Sequence, residues 1–158
     1  MFSLIKRVRH KILLSIFLAI VALGSVQTSV VFAFQSSPTP EERKLKIASV
    51  QHDLILLLIE NKNFDQVESE WKKVLDLKLG AKFEGQIADS LLLIAFNLSE
   101  AKQLSLALKI IDDSLSTVPF SNKSKSDLLK LKASIYVELG DSEDAIKAYQ
   151  FARDLLNK

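Results

Sequence analysis

The chain has no cysteine, one tryptophan, and one histidine after residue 33. Without cysteine there is no disulfide framework, thiol nucleophile, lipidated cysteine anchor or thiolate metal cage. The lone histidine, His52, stands next to Asp53, but adjacent helical residues do not face one another. No Ser or Glu is placed to complete a relay, so His52 reads as a structural or surface residue. The four glycines are scattered, which excludes a phosphate-cradling loop. Asp112–Asp113 and Glu68/Glu70 lack metal-cage spacing and read as solvated helix faces. These absences predict a protein that is not an enzyme and holds neither cofactor nor metal.

Charge of one sign is also scarce once the chain is divided. The first 33 residues contain Lys6, Arg7, Arg9 and Lys11 and neither Asp nor Glu. Removing those four cations takes the formal charge from +2 to −2. The remainder is nearly neutral, with no electrostatic case for nucleic acid as a partner. Lys123, Lys125, Lys130 and Lys132 gather in one stretch that reads as a hydrated loop and helix start, or as a surface for an acidic partner or anionic lipid.

The leader has an order of its own. "KRVRHK" (Lys6–Lys11) precedes the apolar run Ile12–Leu23, and "GSVQTSVVFA" ends with Val31 and Ala33 at the small-residue positions of a signal-peptidase site. Residues 1–33 therefore read as a signal peptide, predicting export to a periplasm, lumen or extracellular space. The alternative is retention: 12–34 spans 23 residues, long enough to cross a bilayer as a single-pass anchor despite five polar side chains. In both cases the domain lies across a membrane from the basic end. Residues 34–46, with Pro38 and Pro40, read as a linker.

From residue 47 onward one pattern comes three times. Val67, Trp71 and Val74, then Ala107, Ile111 and Ser114, then Ala145, Tyr149 and Ala152, share the spacing i, i+4, i+7 of one helix face. The copies are offset by 40 and then 38 residues. Each follows a second apolar helix: Ile47–Glu60, Ile87–Glu100 and Ser126–Leu139. The unit is a helix, a short turn and an antiparallel helix. Gly140 is placed to stop one helix, with Asp141 or Ser142 to cap the next. Gly80 is placed to close the first pair, and Pro119 to end the second. Small residues let paired helices approach to about 8–10 Å, which explains Ala95 with Ala107 and Ala133 with Ala145. An ordinary helical bundle is the competing arrangement.

With Leu129, Ala133, Tyr136, Gly140, Ala145, Tyr149 and Ala152 at its intervals, the third copy resembles the tetratricopeptide repeat. The second matches through Leu91, Ile94, Ala95, Leu98, Ala107, Ile111, Ser114 and Pro119. The first matches through Leu54, Leu58, Phe64 and Trp71, and departs at Gln51, Ile55 and Val67; Lys132 is a departure in the third. The resemblance implies an all-α fold, a short right-handed superhelical stack of three hairpins over 47–158, at about 48–81, 88–121 and 126–158.

The resemblance also implies a concave groove lined by the first helix of each hairpin. By motif register it holds His52, Leu56 and Ile59, then Leu92, Phe96 and Ser99, then Lys130, Ser134 and Val137. Such a groove is apolar over its first two thirds, with Lys130 at its far end. The lysine and asparagine clamp by which some family members grip a C-terminal carboxylate is absent. Plain packing of Leu56, Ile59 and Phe96 is the competing reading. The expected function is that of an exported, non-enzymatic adaptor or scaffold. It would hold an apolar segment of a protein or peptide partner and support assembly or maintenance of a complex. The alternative is a membrane-anchored factor, similar in layout to small tetratricopeptide proteins that assist assembly of photosynthetic membrane complexes; an enzyme with an unrecognised site comes last. Val50 and Leu57 at one edge, and Ala148, Phe151 and Leu155 at the other, are expected to be partly bare and able to support a homo-oligomer.

Overall fold

A computed structural model describes residues 37–157. The expected leader 1–33, its cleavage site and the alternative anchor over 12–34 lie outside the described residues. From Ser37 the chain forms one compact unit. It is all-α: α1 (Pro40–Glu60), α2 (Phe64–Asp76), α3 (Glu84–Glu100), α4 (Leu104–Thr117), α5 (Asn122–Leu139) and α6 (Ser142–Leu156), with a 3₁₀ turn at Ala81–Phe83. No strand occurs among the described residues.

α1 begins seven residues earlier than the sequence reading placed it. Residues 40–46, expected to be linker, are its first two turns. Thr39 Oγ1 accepts from the Glu42 N–H at 3.2 Å, and the Glu42 carboxylate accepts from the Thr39 N–H at 2.7 Å, a reciprocal capping box. The hydrogen bond from the Thr39 backbone holds the Glu42 carboxyl below its ordinary value. Pro40 occupies the first helical position, where its missing N–H and fixed φ cost nothing. A proline that blocks a helix interior is thus compatible with a helix start.

Three turns join α1 to α2, α3 to α4 and α5 to α6, and each puts one residue in the left-handed region: Lys62 at φ 60°, Lys102 at 61° and Gly140 at 78°. Around each, the same two backbone bonds recur. Lys62 N–H donates to Ile59 O and Asn63 N–H to Leu58 O; Lys102 donates to Ser99 O and Gln103 to Leu98 O; Gly140 donates to Val137 O and Asp141 to Tyr136 O. This is the paired closure of a left-handed helix stop, and it recurs at the 40- and 38-residue offsets of the side-chain pattern. Asp141 then caps α6 by accepting from Asp144 N–H at 3.1 Å. The connection after α2 differs from expectation. Lys78, at φ 47°, takes the left-handed turn, while Gly80 is extended at φ −61°. α4 stops at Thr117 because Val118, ahead of Pro119, is forced out of helical conformation.

The principal packing is within each pair (α1 on α2, α3 on α4, α5 on α6) and between neighbouring pairs. Ala95, Ala107 and Ala133 are fully buried and Ala145 nearly so. Ala95 and Ala107 belong to one continuous core with Trp71, Leu91, Ile94, Leu98, Ile110, Ile111 and Leu128. Polar links cross between pairs. Trp71 Nε1–H donates to Ser114 Oγ at 2.8 Å, and Ser114 Oγ–H to Ile110 O at 2.6 Å. Lys109 joins α4 to α2 through Glu68 at 3.2 Å; Lys132 joins α5 to Asp112 on α4. Among the described residues no buried side-chain polar atom lacks a partner.

Candidate functional site

The extra turns of α1 make a cleft. Leu45, Ala48, Ser49 and His52 of α1 line one side, Ile87, Ser90 and Leu93 of α3 the other, and Val74 and Leu79 complete the lining. The space is about 650 Å³, within the range of ligand-binding clefts. Most of the lining is aliphatic. Glu42, Lys46, Gln86 and Asp89 set charged and amide groups round its edge. His52 Nδ1 and Ser90 Oγ lie 2.7 Å apart and tie the two walls together. Both groups are engaged with each other, and among the described residues neither side chain is hydrogen-bonded to a carboxylate. Among the described residues no group of three or more His, Asp and Glu side chains is placed to hold a metal ion.

The expected groove residues separate into several environments. His52 lines the cleft. Leu56 and Leu92 are half-buried against the core. Ile59 is 6% exposed and belongs to the core, so it offers almost no surface. Its backbone carbonyl closes the Lys62 turn, which draws that end of α1 against α2. Ser99 is buried likewise, and its hydroxyl donates to Glu138 Oε1 at 3.2 Å. Phe96 stands out, 52% exposed, one turn beyond Leu93 at 45%. On α5, Ser134 and Val137 are exposed. Lys130 is paired with Asp127 at 3.0 Å. Hydrogen bonds from Lys130 and Lys123 hold the Asp127 carboxyl below its ordinary value. The positive charge expected at the far end of the groove is therefore partly neutralised within its own helix.

Leu45, Leu79 and Ser90 line the cleft without having been anticipated. Leu45 was hidden by the linker reading, yet "TPEE" (Thr39–Glu42) carries the spacing of a capping box and signals an earlier start. Leu79 sits in a connection, where periodicity has no purchase. No helix among the described residues is long and apolar enough to cross a membrane. Comparison with protein-family models, with curated proteins and with solved structures finds no match to this chain.

Proposed function

We propose that this protein is an exported, non-enzymatic adaptor of tetratricopeptide-like build, holding an apolar segment of a protein partner along the α1–α3 face. The observation that carries the reading is the exposure of Leu93 and Phe96, beginning at the wall of an aliphatic cleft. Large apolar side chains exposed together on a helix face mark an interaction surface, and a groove between helices accepts a helix or extended peptide. The recurrence of one turn geometry at fixed offsets, and packing that runs from pair to neighbouring pair, support a repeat stack. In such a stack the first helices line one concave side.

The test is capture of partners from a native extract by the full-length chain, compared with Phe96→Glu and Leu93→Glu. Both positions are open enough to take a carboxylate without disturbing the core, and unchanged circular dichroism checks this. Loss of the same captured protein in both variants is expected; equal capture refutes the surface. The export part predicts that the mature protein has an intact mass lacking residues 1–33.

A further inference from the structure

The first pair exposes an apolar stripe at four positions, each of them apolar and buried in one sister pair and polar in the other, where Ser90, Asn97, Lys125 and Lys132 stand. Ile47, Val50, Leu54 and Leu57 on α1 are 40–62% exposed. The 40-residue offset maps Ile47 to Ile87 and Leu54 to Ile94 in the second pair, which are 8% and 0% exposed. The further 38 residues take the positions of Val50 and Leu57 to Leu128 and Ile135, both fully buried. In α3 and α5 this face is covered by the preceding pair, since α1 packs on α3, and α3 and α4 on α5. The stripe is therefore the receiving half of a pair-to-pair joint.

The delivering half stands open at the other end. Trp71 and Ile111 are 1% and 0% exposed, yet Tyr149, their equivalent in the third pair, is 47% exposed, with Ile146 beside it at 56%. One molecule thus carries both halves of the joint that it uses twice internally, each without a partner among the described residues.

We propose that the α1 stripe seats the α5–α6 end of a second copy, so that chains join head to tail. The internal joints supply the register. His52 touches Ser90 across the first joint; the same offsets put Lys130 of one copy against Val50 of the next. Asp112 meets Lys132 across the second, which puts Gln150 against Leu54. Glu68 meets Lys109 across the first, which puts Ile146 against Ser69. Charged and polar contacts inside the chain are replaced at the intermolecular joint by contacts with an aliphatic side on at least one partner. A heterologous joint of this kind extends into a ring or an open row instead of closing as a symmetric dimer. The proposal goes beyond the adaptor reading and does not use Phe96 or the cleft.

The absence of cysteine makes the joint directly testable. Purified full-length Val50→Cys and Lys130→Cys chains are treated with a short bis-maleimide, separately and mixed; Leu54→Cys with Gln150→Cys is an independent second couple. All four positions are exposed, and circular dichroism checks that the fold is kept. Each variant alone should remain monomeric on a denaturing gel, while either mixture gives dimer as a major species. A chain carrying both cysteines of a couple should give a ladder of multiples. Dimer from Val50→Cys alone would reveal a symmetric α1–α1 contact and overturn the proposal. So would the absence of multiples in both couples, the result expected if residues before Ser37 or an unrelated protein cover the stripe.

Discussion

The contact between Trp71 and Ser114 ties the first pair to the second across 43 residues of sequence, and its removal has a calculable cost. The indole N–H is buried, and Ser114 Oγ is its acceptor at 2.8 Å. Ser114→Ala leaves that donor without a partner, a loss of about 2 kcal/mol. Trp71→Phe removes the donor but also ring atoms from a filled site, at about 2 kcal/mol. In the double variant the indole N–H is gone, so Ser114→Ala then removes only a hydroxyl bonded to Ile110 O. The pair should therefore cost less than the sum of the singles by about 1–2 kcal/mol. For a domain of this size about 1 kcal/mol lowers Tm by about 4 °C, so Ser114→Ala should melt about 8 °C below the parent. Thermal and denaturant unfolding followed by circular dichroism give the cycle. Trp71 is the chain's sole tryptophan, so its fluorescence reports the site alone and should stay blue-shifted in Ser114→Ala. Strict additivity of the two substitutions would refute the coupling; the red-shifted emission of an exposed indole in the parent protein would refute the packing itself.

The left-handed turns give an opposed pair of outcomes. Lys62→Gly and Lys102→Gly should each raise stability by about 1 kcal/mol, because a side chain at positive φ costs about that much more than glycine. Gly140→Ala should lower stability by a similar amount. An added Cβ there meets nothing within 4 Å, so the penalty is conformational and not steric; denaturant midpoints measure both signs. Stability should also depend on acid. Hydrogen bonds from Lys72 and Lys109 hold the Glu68 carboxyl below its ordinary 4.5, and Lys102 does the same for Glu138. A carboxyl with a lowered folded pKa stabilises the fold above its unfolded value, and the contribution disappears as pH falls through the folded value. Tm should thus fall on acidification below about pH 4.5, and Glu68→Gln should flatten that fall.

Much of the fold was legible because helix periodicity, small residues at the crossings and turn chemistry agreed with one another. Six helices occur in the expected order, α1, α3 and α5 starting earlier than periodicity placed them, the crossing alanines are buried, and the edges at Val50, Leu57 and Phe151 are open. Ala148, expected to be partly bare, is instead 7% exposed. The helix stop at Gly140 was readable because glycine favours positive φ. The equivalent stops at Lys62 and Lys102 were not, because lysine carries no such preference, and tertiary packing imposes the conformation on it. Proline misled at Pro40 for the complementary reason: its effect on a helix depends on position, and the deciding residues were Thr39 and Glu42. The candidate site was the least legible part. Motif register assigns side chains to a face, but whether that face is open depends on how far the neighbouring helix has closed upon it. Ile59 and Phe96 are both apolar and both belong to the expected groove; one is 6% exposed and the other 52%.

The contrast follows register: Ile59 shares its position with Ser99, buried in the second pair, whereas Phe96 shares its position with the half-buried Leu56 of the first. At the turn end of α1, the chain must close back through Lys62, and the Ile59 and Leu58 carbonyls take up its N–H bonds; side chains there are pulled into the pair. Farther back along α1, His52 and Ser90 bridge the two helices by a hydrogen bond at 2.7 Å beside the cleft. If the cleft receives the partner, Ser90→Leu should fill part of it, remove His52 from its hydrogen bond and weaken partner capture while the hairpins remain folded. If Ser90→Leu captures normally, the α1–α3 cleft has no part in recognition, and only Phe96 and the surface beyond it remain as the contact.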